Sequence, residues 1–272
     1  MNSYSIVRLP TTARRACLLA FGAVVAFSAS HVRAQYADWN ANPPKILQNE
    51  RSGSTDIWSA GSGRQYPNGY AFAALKADGS VVTWGANWAG GDSAAVAASL
   101  SSNVRAVYST ESAFAALKTG GSVVIWGNFG AGGDSTAVAS SLSSGVTAVY
   151  SNSNAFAALK NDGSVVTWGN PPAGGDSSSV SASLSSGVTA VYSNKLAFAA
   201  LKADGSVVTW GDANSGGNST AVASSLSSNV TALYSTQRAF AALKADGSVV
   251  TWGDIGYGGD STAVASSLSS NV

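Results

Sequence analysis

Beyond residue 34 the sequence has no cysteine and no histidine; Cys17 and His31 are the only ones among its 272 residues. That absence excludes disulfides, thiolate and imidazole catalysis and the usual zinc sites from residues 35–272. Glutamate is nearly missing as well, with Glu50 and Glu111 alone, and charged residues make up only 11% of the chain. General acid–base work would fall to aspartates and lysines, so neither a catalytic residue nor a cofactor site is expected. A basic excess is also lacking. Four of the 15 basic residues lie in 1–34 with no acid beside them, which leaves 11 against 14 acidic ones in the remainder. That balance has the wrong sign for electrostatic capture of nucleic acid.

The one long apolar run is Ala16–Ala29, broken only by Gly22 and Ser28. Arg8, Arg14 and Arg15 precede it, and Val32-Arg33-Ala34 after it is the small-residue pattern a signal peptidase accepts. The layout is that of a secretory signal over 1–34, cleaved near Ala34–Gln35, which places the mature chain in the periplasm or outside the cell. The run falls short of the roughly 20 residues of a bilayer span, so no stable membrane anchor is expected. An organellar transit peptide is the competing reading, because the segment is rich in Arg and Ser and lacks acids.

What the rest of the chain has in abundance is repetition. Ala-Phe-Ala-Ala-Leu-Lys starts at Ala113, Ala155, Ala197 and Ala239, always 42 residues apart, and the same register holds back to Ala71. Tryptophan follows in step at Trp84, Trp126, Trp168, Trp210 and Trp252. Five such units fill 63–272. A fixed period in the forties marks a propeller or solenoid, in which each unit buries its apolar face only against its neighbours.

One unit can be read in detail. Val104–Tyr108 is a short β-prone run, and Ala113–Lys118 is a second strand of small apolar residues. A tight Gly-containing turn follows, Asp-Gly in the units at Asp78, Asp162, Asp204 and Asp246 but Gly120-Gly121 here. Val123–Trp126 is the third strand. Asp134–Leu142 reads as one or two turns of helix, with Asp134 at the N-cap and Val138 and Leu142 four apart on one side. The expected fold is all-β: a propeller of five 42-residue blades, each with three to four strands and one short helical segment. Five tryptophans in one register fit wedges between blades better than ligand-stacking rings, since a buried indole removes about 150–250 Å² from water.

Most positions of the units are nearly invariant, and two stretches are not. One follows the first strand (68–70, 110–112, 152–154, 194–196, 236–238) and the other follows Trp-Gly (86–89, 128–131, 170–173, 212–215, 254–257). In an up-down-up meander both emerge at the same rim, with the uniform turn at the opposite one. Variation on one face of a repetitive scaffold is how repeat proteins build binding surfaces. The candidate partner-binding residues there are Tyr70, Trp88, Glu111, Phe129, Lys195, Arg238, Ile255 and Tyr257, a set rich in hot-spot types.

Two acidic series invite a metal or catalytic reading and favour a structural one. Asp92, Asp134, Asp176 and Asp260 follow Gly-Gly, but Asn218 takes the fourth place, which suits a cap and adds no charge for a hard cation. No metal site is expected. Asp212 and Asp254 are the only aspartates at the variable rim.

Ala-Leu-Lys-x-Asp-Gly-Ser-Val-Val-Thr-Trp-Gly, within Ala199–Gly211, resembles the repeat signature of the regulator of chromosome condensation superfamily. Its spacing, with Ser143–Tyr150, is similar to that of the secreted β-lactamase inhibitor protein II-like propellers of that superfamily. The resemblance spans 63–272. It implies a β-propeller, usually seven-bladed, used for protein–protein recognition. The units here are shorter than those of the eukaryotic regulator, the histidine common before the middle strand is missing, and there are five repeats. Nucleotide exchange and chromatin binding are therefore not carried over.

The expected function is non-catalytic recognition of a protein through the variable rim. A glycan-binding propeller is the alternative, because rim Trp and Tyr stack on sugars too, and a polysaccharide-acting enzyme is the more remote one. Five repeats leave closure open: a five-blade ring, part of a larger ring, or an open arc whose two bare faces would self-associate. Segment 35–62 is the candidate to close or cap the propeller, through Ile46-Leu47 or Ile57-Trp58 pairing with the last blade.

Overall fold

The structure, a computed structural model, describes residues 66–270 and 272. The segments expected to act as signal (1–34) and as closing strand (35–62) lie outside the described residues.

Each unit folds as one antiparallel sheet, and the chain is all-β with short helical turns between sheets. Blade one holds β1 (Ala71–Leu75) and β2 (Val81–Gly85). Blade two holds β3 (Val104–Ser109), β4 (Ala113–Lys118) and β5 (Val123–Gly127). Blade three holds β6 (Val146–Ser151), β7 (Ala155–Lys160) and β8 (Val165–Gly169). Blade four holds β9 (Val188–Ser193), β10 (Ala197–Lys202) and β11 (Val207–Gly211). Blade five holds β12 (Val230–Ser235), β13 (Ala239–Lys244) and β14 (Val249–Gly253). Within a blade the order is sequential, a three-stranded meander. Among the described residues no blade has a fourth strand. Blade one pairs only two strands among the described residues.

Register decides what each face carries. In blade four Phe198 lies opposite Trp210 and Ala199 opposite Thr209. Phe198 and Trp210 thus share one face and stack at 5.3 Å. With side chains alternating, Ala197, Ala199 and Leu201 fall on the other face. The aromatic face of blade four packs on Ala155, Ala157 and Leu159 of blade three. Its alanine face receives Phe240 and Trp252 of blade five. Small residues on one face are what let the next sheet bring a Phe–Trp pair so close. The wedge role expected for the tryptophans holds in blades two to five, where the indoles are buried.

The tract after the third strand differs in kind from the expected helix. Thr136–Val138 is a single 3-10 turn whose N-cap position is Ser135, not Asp134. Asp134 accepts the N–H of Thr136 with Oδ1, closing a local turn ahead of the 3-10 turn. The predicted sidedness stands: Leu142 is buried and Val138 packs against the same cluster.

Blades one and five do not pack on each other as successive blades do. The described residues form an open arc.

Candidate functional site: the variable rim

Both variable stretches meet at one rim, and the hydrogen bonds that join them explain why. The N–H of Asn170, opening the second stretch, donates to the carbonyl of Asn154, closing the first. The same bond links Ala86 to Tyr70, Asn128 to Ser112, Asp212 to Leu196 and Asp254 to Arg238.

A second set of bonds was hidden inside the apparent variation. Asn152 is fully buried; its Oδ1 accepts the Ala155 N–H, and its Nδ2 donates to the Ala173 carbonyl. Asn68 and Asn194 do the same. Thr110 and Thr236 achieve it with one hydroxyl, which accepts from Ala113 or Ala239 and donates to Ala131 or Tyr257. These five residues pin the two loops of each blade together. The signal for them was the restriction of one "variable" position to Asn or Thr.

The next position builds a ladder from blade to blade. Gly69 N–H donates to the Glu111 carbonyl, Glu111 to Ser153, Ser153 to Lys195 and Lys195 to Gln237. Glu111 and Lys195 therefore owe their places to their backbones, with side chains half-exposed.

On this braced frame stand the remaining candidates. Phe129 and Ile255 are the most exposed, at 76% and 79%, each at the first position of a short 3-10 turn that ends in a left-handed glycine. Trp88 is 54% exposed and meets Tyr70 at 4.7 Å, tilted by 50°. Arg238 lies 3.9 Å from Asp254 and 5.5 Å from the centre of the Tyr257 ring. The eight residues thus do not form one cluster. They divide into Tyr70–Trp88 on blade one, Glu111 and Phe129 on blade two, Lys195 on blade four, and Arg238–Tyr257–Ile255 on blade five. A groove of about 760 Å³ between blades four and five opens beside Arg238, Asp254 and Ile255.

The aspartates are occupied with the backbone. Asp212 accepts the Ser215 N–H and Asp254 the Gly256 N–H, so each caps its own turn. In the Gly-Gly series Asp92, Asp134, Asp176 and Asp260 each accept the N–H two residues on, and Asn218 does so equally well. On the opposite rim Asp78, Asp162, Asp204 and Asp246 each accept the N–H and hydroxyl of a serine two residues on. Those bonds favour the charged form: Asp78 is lowered to about 2, first by the Ser80 hydroxyl and then by its N–H. Among the described residues no three of His, Cys, Asp or Glu gather as a metal site would require.

No protein-family model and no curated protein sequence matches the chain. Solved structures do. They include the ectodomain of the Physcomitrella patens receptor kinase CR4 (TM-score 0.42, 16% identity, covering 75% of this chain and 53% of that one). Yeast RCC1 (Prp20), solved bound to Kap60, is similar at TM-score 0.44 and 17% identity, over 69% of this chain and 55% of that one. Human WBSCR16 is similar at 0.42 and 20%, over 70% and 60%. The chain spans little more than half the length of these proteins.

Proposed function

We propose that this chain is an exported, non-catalytic β-propeller that binds a protein partner through the variable rim. The observation that carries the reading is the exposure of Trp88, Phe129 and Ile255 on loops that the Asn68, Thr110 and Thr236 side chains hold fixed. Large apolar groups kept in water on a rigid frame lose little conformational entropy when a partner covers them. The engagement of Asp212 and Asp254 as turn caps supports a binding role over hydrolysis, which needs two free carboxyl groups. Export rests on the arrangement of Arg8, Arg14, Arg15, the apolar run and Ala34.

The test is capture from the native medium by wild-type chain and by Trp88→Ser and Phe129→Ser variants. Loss of the captured protein from both variants, with unchanged circular dichroism and thermal midpoint, supports the reading. Equal capture by all three removes the rim from consideration. Binding on a glycan array that is lost in Trp88→Ser transfers the site to a sugar ligand.

A further inference from the structure

Every junction between successive blades is assembled from the same parts. The indole N–H of the later blade donates to the carbonyl of a left-handed glycine on the earlier one: Trp126 to Gly90, Trp168 to Gly132, Trp210 to Gly174 and Trp252 to Gly216. The phenylalanine stacked on that indole seats against the same glycine, so that a Cβ at Gly216 would lie 2.8 Å from Phe240 Cδ2. A leucine from the earlier blade closes the junction: Leu100, Leu142, Leu184 or Leu226, each at most 2% exposed.

At the ends of the arc the two halves of this junction stand apart. Phe72 and Trp84 stack at 5.2 Å like the other pairs, yet Trp84 is 47% exposed. Among the described residues no acceptor meets its indole N–H. At the other end Gly258 has the same φ of 94° as Gly90 and Gly132, and nothing lies within 4 Å of where its Cβ would be. Val264 is 51% exposed, and Leu268 is only half-buried. The rim ladder is split in the same way. Gly69 opens it by donating and Gln237 ends it by accepting.

We propose that the aromatic face of blade one docks on the alanine face of blade five of a second copy of this chain, forming one more junction of the kind the chain makes four times within itself. The occupant follows from continuity with those four interfaces. Donor, acceptor, stacked pair and receiving glycine are all present, one set on each outer face of the described blades, and among the described residues those two faces do not meet. Such a contact is heterologous, so it can add further copies until the arcs close on themselves. It uses the sides of the two outer blades, and Tyr257 is the rim residue it shares.

One residue departs from the pattern and sets the strength of the contact. Tyr257 occupies the place held by Ala89, Ala131, Ala173 and Ser215, all of them buried at a junction. Its ring must move aside before a second copy can seat. Removing it therefore tightens association.

Sedimentation velocity on the full chain over a wide concentration range tests this. Wild type should associate as concentration rises, and Tyr257→Ala should do so at concentrations lower by about tenfold. Trp84→Glu blocks one end, and Val264→Asp with Leu268→Asp blocks the other. Each should be monomeric alone, and their mixture should form a one-to-one dimer that grows no further. Both changes fall on exposed or half-exposed side chains, and circular dichroism checks that each variant is folded. A wild-type chain that stays monomeric throughout, or association that survives both end changes, overturns the proposal.

Discussion

The indole nitrogen of Trp210 donates a 3.1 Å hydrogen bond to the carbonyl of Gly174, 36 residues earlier and one blade back. One contact thus satisfies the only polar atom of a buried indole and an otherwise orphaned carbonyl at the end of a 3-10 turn. Because the glycine is left-handed and lacks a side chain, Phe198 can lie against it as well. Blade packing in this chain is that contact, made four times.

The first prediction follows from burial. Trp210→Ala removes an indole that is 3% exposed and should cost about 3–5 kcal/mol. Trp84→Ala removes the same group from an open face and should cost less than half of that. Urea unfolding of both variants at concentrations where the chain is monomeric gives the comparison. Equal losses would mean that the face of blade one is covered in solution.

Much of this architecture is legible in the sequence. The 42-residue step fixes the blades, and the alternation of Phe and Ala through Ala197–Lys202 fixes which face each side chain takes. The common rim needs only the fact that an antiparallel chain returns to the end it left. Other features escaped for physical reasons. Asn152 and Thr110 look like variation because an amide and a hydroxyl differ in shape, yet both can accept one hydrogen bond and donate another. The tract from Asp134 to Leu142 has the spacing of a helix, yet it folds only as a 3-10 turn at Thr136–Val138, whereas the matching tract of blade one adds a short α-helix at Ala97–Leu100. The rim candidates fall on four blades, and which of them touch depends on how far apart those blades stand, which spacing along the chain does not encode.

The buried pins lead to the second prediction. Asn152→Ala leaves the Ala155 N–H and the Ala173 carbonyl buried without their partner and should cost about 1–3 kcal/mol. Asn152→Thr should recover most of the loss, because Thr110 and Thr236 already hold both loops with a single hydroxyl. Thermal midpoints of the two variants decide the point. If threonine is no better than alanine, the shared role assigned to the two residue types is wrong.

Acid stability gives the third. Asp78, Asp162, Asp204 and Asp246 are all lowered by the serine two residues on, Asp78 to about 2. A carboxylate lowered by folding contributes stability that is complete above its unfolded value near 4, and this is lost as pH falls toward the folded value. Stability should therefore show no pH dependence from these turns between pH 5 and 7, where their contribution is complete, and should decline between about pH 4 and pH 2. Replacing the four serines with alanine removes the hydroxyl bonds, which are the largest cause of the lowering. The acid-induced decline of that variant should be shallower, as read by circular dichroism during acid titration.

The last prediction separates backbone strain from packing with a matched pair. Gly216 and Gly258 have φ values of 89° and 94°, so alanine at either must adopt a left-handed conformation at about 1–2 kcal/mol. At Gly216 the added Cβ also lies 2.8 Å from Phe240 Cδ2 and 3.3 Å from Trp252 Cδ1, and forcing those rings aside should add about 1–3 kcal/mol. At Gly258 nothing is near, so Gly258→Ala should show the strain alone. Denaturation midpoints of the two variants, measured at the same dilute concentration, report the difference directly. A Gly258→Ala loss as large as that of Gly216→Ala would show that something already fills the space beside Gly258 in the dilute chain. The fifth blade would then have a neighbour without any second copy.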